Sequence, residues 1–227
     1  MPGLTTTTHH LAPSISTSAS LTATHVLNLL STYGADDDDD DCATSSSSTS
    51  TSCDSISQIA HSLQTAHFAA KETSDPETLV AALLHDIGQF IPMAELTELA
   101  IEVKDADGNL ARIGHETLGA EYLHRLGFSG KVCALVAAHV PAKRFLCKVD
   151  REYYAGLSEA SKKSLREQGG PMSEREVDEW KESGWWEDKV RLRRCDDRAK
   201  VVGLVVDGVQ AYRGVLEAHL RAQGLAD

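Results

Sequence analysis

Four histidines and an aspartate or two at each end of a helical chain could share one metal centre. His61 stands about one helix ahead of an adjacent pair, His85-Asp86. His115 and His139 follow, and an Asp196-Asp197 pair comes later. Imidazole nitrogen and carboxylate oxygen together suit borderline divalent metals that handle oxygen species. The set contains no cysteine, which disfavours a zinc–thiolate site. Neighbouring residues on a helix point about 100° apart. His85 and Asp86 can therefore serve one cluster at a helix end, or if Asp86 bridges two ions. Four histidines and two aspartates make six protein ligands, too many for one open catalytic ion and enough for two. His67, His124 and His219 stand outside this pattern and read as ordinary core or surface histidines.

The elements that must position these residues read as helices. Ile56, Ile59, Ala60, Leu63, Ala66 and Ala70 mark one face of a 3.6-residue period that carries His61. Asp75 caps the next helix with Pro76 at its first position, and that helix ends near Gly88. Helical patterns follow near 115–126 and 130–140. Ser173 and Glu176 have capping-box spacing. A last long helix is expected from about Val190 to Arg221, with the Asp196-Asp197 pair near its start. Residues 103–112 read as a turn or small hairpin around Asp107-Gly108. No alternating pattern competes, so the fold class is all-α.

The chain has 227 residues, 41% of them hydrophobic and 25% charged, with a formal net charge of −12. That length fits one domain plus extra chain. The acidic balance excludes a general nucleic-acid binder, which needs a basic footprint. No apolar run approaches the roughly 18 residues that span a bilayer. The charge is uneven. No Lys or Arg precedes Lys71, and residues 1–60 hold seven acids, Asp36 to Asp41 and Asp54; without those seven the remainder carries −5. Residues 1–20 are expected to be disordered, 21–33 a short helix, 34–55 a low-complexity acidic and Ser-rich loop, and 56–227 the main domain. Five cysteines without a C-x-x-C pair fit a reducing, cytoplasmic compartment. No secretory or mitochondrial targeting pattern is expected at the N-terminus.

The H…HD…D pattern resembles the HD-domain superfamily of metal-dependent phosphohydrolases and diiron oxygenases. The stretch from HVPAKRFL through SEASKKSLREQGGPM to VRLRRCDDRAK is more narrowly similar to its PhnZ-like oxygenase branch, related to myo-inositol oxygenase. The resemblance covers roughly residues 56–203. It implies an HD helical bundle with a five-helix metal-binding core. It also implies a mixed-valent Fe(II)/Fe(III) pair held by His61, His85, Asp86, His115, His139 and Asp196. Asp86 would bridge, and His85 and Asp86 would form the catalytic centre. Asp196 is preferred to Asp197 because it directly follows LRRC. The resemblance further implies an anion-binding set of Lys143, Ser161, Ser164, Gln168 and Arg193. Two departures stand out. Gln89 replaces the histidine that usually follows HD-I-G, which implies an altered hydrogen-bond partner for the metal ligands. The family's Tyr and Glu ahead of the first ligand correspond to the neighbourhood of Thr51 and to Asp54, inside the low-complexity stretch; Asp54 could contact a cationic group.

Three functions compete. The first is an oxygenase that cleaves a small hydroxylated anionic substrate, a phosphonate or carboxylate, with O2. The second is a metal-dependent phosphohydrolase acting on a phosphate ester, with other divalent metals possible. The third is a non-catalytic relative that keeps the fold as a binding module. The fourth histidine and the HVPAKRFL and QGGPM segments favour the first. The partners expected are a small substrate and O2, with no nucleic acid and no membrane; the oligomeric state is not readable.

Overall fold

Side-chain caps set where the helices begin. The computed structural model describes residues 18–34, 56–99 and 114–227. These residues form eleven α-helices and no named strand. They are α1 (Ala19–Tyr33), α2 (Gln58–Glu72), α3 (Pro76–Leu84), α4 (Met93–Glu98), α5 (His115–Arg125), α6 (Gly130–Val149), α7 (Arg151–Gly156), α8 (Glu159–Glu167), α9 (Glu174–Glu182), α10 (Trp186–Arg198) and α11 (Arg213–Ala222). Ser57, Asp75, Ser129, Asp150, Ser158 and Ser173 each accept backbone N–H bonds at a helix start. Each satisfies donors that have no partner inside the helix. The Asp75-Pro76 start and the Ser173–Glu176 capping box stand where the sequence puts them. Asp75 also pairs with Lys131, 2.9 Å away, which reaches Asp188 at 2.8 Å. That bridge ties the start of α3 to α6 and α10.

Five helices, α2, α3, α5, α6 and α10, pack on one another. Their core holds Val80, Leu83, Leu84, Leu123, Val132, Leu135, Val136 and Leu192. α1 packs on α11 and adds Val26, Leu27, Leu30, Leu216 and Leu220 to the same core. A second apolar cluster joins the far half of α6 to α9 through Ala142, Phe145, Leu146, Val177 and Trp180.

Several boundaries differ from the expectations. The first helix starts at Ala19 rather than at 21. α6 runs through Pro141 to Val149, well past 140. The proline removes only one N–H from the ladder, and Ala142, Phe145 and Leu146 continue to bury beyond it. The long helix expected over 190–221 is two helices. α10 ends at Arg198, and the chain runs without α-helix to a short 3-10 turn, Val209–Tyr212, before α11. Asp196-Asp197 therefore closes a helix instead of opening one. Val201, Val202 and Val205 are exposed, so the apolar period there is not a buried face. The buried face of α2 also differs. His61, Ser62, Gln64, Thr65, Ala66 and Ala69 are buried, while Ile59 and Leu63 are only partly covered and Ala70 is exposed. The turn expected at 103–112 lies outside the described residues. So do the acidic run Asp36 to Asp41, Cys42, Thr51, Cys53 and Asp54, with most of the expected N-terminal segment and loop.

Gly88 fixes how close the His85-Asp86 segment comes to α5. A Cβ there would sit 2.0 Å from the His115 carbonyl oxygen and 2.8 Å from the Gly119 nitrogen. Both are backbone atoms and cannot swing aside. Gly88→Ala should therefore push the start of α5 away, at about 1–3 kcal/mol of overpacking. It should lower the thermal midpoint and weaken metal binding together; an unchanged midpoint by calorimetry would contradict this packing.

Candidate metal centre

The His85-Asp86 pair serves one cluster because the helix stops in front of it. α3 ends at Leu84, His85 is its C-cap, and Asp86 has left helical geometry (φ −98°, ψ 8°) before a 3-10 turn over Ile87–Gln89. A helix end leaves carbonyls without partners. His85 uses one of them, its Nδ1 donating to the Ala82 carbonyl at 2.9 Å. His139, in the middle of α6, places its Nδ1 2.7 Å from the Val136 carbonyl one turn back. His61 donates through Nδ1 to the Ala199 carbonyl at 2.9 Å. These bonds place the proton on Nδ1 and turn each Nε2 lone pair inward, the arrangement a metal-binding histidine needs. The His115 Nδ1 lies 3.8 Å from the Glu116 carboxylate.

The break after α10 now has its reason. Ala199 must leave the helix for its carbonyl to face His61. Gln64, one turn along α2, then grips the departing chain twice. Its amide nitrogen donates to the Val201 carbonyl at 2.9 Å and its oxygen accepts from the Val201 N–H at 3.0 Å. A side chain thus replaces the helix's own backbone partners.

The Nε2 atoms meet around Asp86 in two groups. Asp86 Oδ2 lies 3.0 Å from His85 Nε2 and 3.5 Å from His61 Nε2. Its other oxygen, Oδ1, lies 3.2 Å from His115 Nε2 and 3.4 Å from His139 Nε2. Within the pairs the Nε2 atoms are 3.1 Å apart for His61–His85 and 3.0 Å for His115–His139. Asp196 Oδ1 joins the first group, 3.2 Å from His61 Nε2. At such range His61 and His85, whose Nδ1 atoms both donate to carbonyls, call for a proton or a cation between their Nε2 atoms. Ligands about 2.1 Å from a common ion and at right angles would lie about 3.0 Å apart. The donor set therefore fits two cations, one on each oxygen of Asp86.

The charges fit the same reading. Burial disfavours ionised Asp86, but the surrounding imidazoles outweigh it and hold its carboxyl well below the usual range. Asp196 is likewise buried, and Arg193 and His61 keep its carboxyl low. Burial works against charging His61, yet Asp196 and Asp86 raise its pKa to about 9. Burial keeps His139 neutral by lowering its pKa. Positive charge is what the two carboxylates call for.

The cluster opens on a small polar cleft of about 50 Å³. Every residue of the expected anion-binding set, Lys143, Ser161, Ser164, Gln168 and Arg193, lines it. Lys143 is 6% exposed and its Nζ donates to Ser164 at 3.3 Å. Gln168 ends α8 and carries a buried side-chain oxygen with no hydrogen-bond partner. Arg193 is also engaged by protein carboxylates, Asp196 at 2.8 Å and Asp197. Asp197 faces Arg193 and Tyr153 on the side away from the cluster. Two residues were missed. Lys200 lines the cleft; it follows Asp196 by four positions, and that spacing was the available signal. Arg144 holds the turn that carries Gln168. It donates to the Gly170 carbonyl at 2.8 Å and pairs with Glu176 at 2.8 Å. Gly169 and Gly170 take φ of +97° and +74° there, which only glycine adopts freely.

Two expectations shift. Gln89 is exposed and its oxygen accepts from Gln58 at 3.0 Å. Its partner is on the first turn of α2, so Gln89 hydrogen-bonds Gln58 and not a residue of the cluster in this geometry. Of the other histidines, His67 is partly covered, His124 exposed, and His219 buried as an acceptor from the Ser129 N–H at 3.2 Å.

Bundle, HD pair and flanking histidines together define a metal-binding helical domain of the HD type. Residues 59–175 match the HD domain family, and the chain belongs to that family. It is similar to the hydroxymethylphosphonate dioxygenase of Gimesia maris, with 40% identity over 168 residues, 74% of this chain and 79% of that one. It is 30% identical to an uncharacterized protein, L432, of Acanthamoeba polyphaga mimivirus, over 74% of this chain and 73% of the other. It is 36% identical to the [1-hydroxy-2-(trimethylamino)ethyl]phosphonate dioxygenase (glycine-betaine-forming) of Leisingera caerulea, over 64% of this chain and 69% of that one.

Metal counting separates the two groups. Asp86→Ala should abolish both ions by elemental analysis, since both groups lose their shared ligand. His115→Ala should leave at most one ion, and His85→Ala should sharply reduce content in the other group. Full metal retention in Asp86→Ala would contradict this assignment.

Proposed function

We propose that this chain is a non-haem diiron oxygenase that cleaves a small 1-hydroxylated phosphonate with O2. The observation that carries the reading is the pair of two-histidine groups on opposite oxygens of Asp86, open to a cleft lined by Lys143, Arg193 and Lys200. Names of the relatives support it, since two are phosphonate dioxygenases. In this proposal His61, His85, Asp86 and Asp196 hold one iron, and His115, His139 and Asp86 the other. Bound iron supplies the redox chemistry and Lewis acidity. A cytoplasmic setting belongs to the same proposal; the described cysteines are all unbridged, and no helix among the described residues is long and apolar enough to cross a membrane.

The protein's own part is positioning and charge. Lys143 stands one helical turn after His139, and Arg193 three residues before Asp196. Side chains at these spacings share a face about 5–6 Å apart. An anionic head group held by Lys143 and Arg193 is thereby fixed within a turn of a ligand from each group. A hydroxyl one carbon from that head group reaches the cluster. Ser161, Ser164 and the Gln168 amide add hydrogen bonds of fixed direction to the phosphonate oxygens. Burial of Lys143 makes its charge count for more than a surface lysine's.

The test uses iron-loaded protein with a panel of 1-hydroxyphosphonates. O2 uptake with carbon–phosphorus cleavage to phosphate is expected. Lys143→Ala should raise KM about 10–100-fold, the loss of one charge-assisted bond of about 1.5–3 kcal/mol, with metal content kept. Phosphate release from phosphate esters without O2 would overturn the oxygenase reading in favour of a phosphohydrolase.

A further inference from the structure

The side chains behind Arg193 form a closed clamp that the proposed reaction does not itself use. Tyr153 on α7 donates its hydroxyl to Asp197 Oδ2 at 2.6 Å. Asp197 Oδ1 accepts from Arg193 Nη2. Arg193 Nε donates to the Tyr153 hydroxyl at 3.4 Å, which closes the ring of contacts. The remaining arm, Nη1, donates to Asp196 Oδ2 at 2.8 Å, while Asp196 Oδ1 faces His61. Three of the five guanidinium N–H bonds are thus engaged by described residues. The side chain is 12% exposed and lines the cleft.

We infer that Tyr153 and Asp197 are positioning residues that aim Arg193 at the substrate's anionic head group and keep it on the metal ligand Asp196. The inference rests on the function proposed above. A guanidinium flanked by Asp196 alone could turn edge-on and grip that carboxylate with both arms, since paired parallel bonds are its preferred geometry. That turn would withdraw it from the cleft and compete for the Asp196 oxygen that faces His61. Asp197 prevents it by taking Nη2, and Tyr153 prevents it by taking Nε and fixing the Asp197 carboxylate. Tyr153 and Asp197 lie on a second, outer cleft with Glu152, Leu157 and Ser158, separated from the metal cleft by Ser161, Arg193 and Lys200, which line both. The clamp therefore stands outside the reacting volume and acts through Arg193.

The experiment reads anion binding separately from turnover. Inorganic phosphate binding to the metal-loaded protein is measured by calorimetry for wild type, Tyr153→Phe, Asp197→Asn and Arg193→Lys. Tyr153→Phe and Asp197→Asn should weaken phosphate about tenfold, with a matching rise in KM, a smaller change in kcat, and metal content kept. In an Arg193→Lys background, Tyr153→Phe should add little, because both act through one side chain. A full tenfold loss in that background would overturn the inference, as would phosphate affinity unchanged in both single variants. Loss of metal with phosphate affinity per loaded protein unaltered would also overturn it, by making the clamp purely structural. Failure of wild type to bind phosphate would remove its basis. Wild-type protein that binds phosphate but consumes no O2 with any hydroxyphosphonate would instead sink the proposed reaction and leave the clamp measurable.

Discussion

The Asp86 carboxylate is the constraint on which the structure depends. Its two oxygens face two histidine pairs from four different segments, all within 3.0–3.5 Å. α2, the end of α3, α5 and α6 must all converge on a group two atoms wide. This explains features that stability alone would not favour. α3 stops in front of His85, a glycine lets two backbones touch at Gly88, and α2 buries histidine, serine, glutamine and threonine rather than its isoleucine and leucine. A carboxylate and three imidazoles buried together, with a fourth partly exposed, are costly unless charges are matched. The low carboxyl pKa of Asp86 and the raised one of His61 show protein groups already matching them.

Helix periodicity then serves as a ruler between the proposed metal ligands and the proposed anion binders. His139 and Lys143 share a face of α6, and Arg193 and Asp196 share a face of α10. Because the spacing belongs to the helix backbone, the distance from head group to cluster does not depend on loops. α8 and the Gly169-Gly170 turn only add direction, and Arg144 pins that turn to α6. A rigid bundle thus supplies range, and a shorter attached segment supplies shape.

Much of this was legible in the sequence because it rests on short-range rules. The HD pair and the flanking histidines are local patterns, and the Asp75-Pro76 and Ser173–Glu176 caps are local as well, whereas Lys143 and Arg193 were singled out only through the family resemblance. What escaped depends on contacts far along the chain. Val201, Leu204, Val205 and Val209 keep an apolar rhythm that looks helical. The helix nevertheless ends at Arg198, because Gln64, 137 residues earlier, captures Val201 and because His61 needs the Ala199 carbonyl. The buried face of α2 was misjudged for the same reason: it is chosen by the cluster and by α10, not by hydrophobicity. Gln89 stands where the resemblance puts a histidine, and its side chain accepts from Gln58.

Net charge is the sharpest contrast between bulk and site. At −12 the chain is strongly acidic, yet Lys143, Arg193 and Lys200 line the cleft. Exposed charges are screened over about 8–10 Å at ordinary ionic strength, whereas buried ones are screened far less. Lys143 is buried beside Ser164, and its charge therefore acts locally whatever the distant acids do. Arg193 is different, because Asp196 and Asp197 flank it and cancel most of its field. Under the proposed function its contribution comes from the direction of its N–H bonds rather than from its charge. Under the proposed function, Lys143 then sets how strongly an anion is held, and Arg193 sets how it is turned toward the cluster.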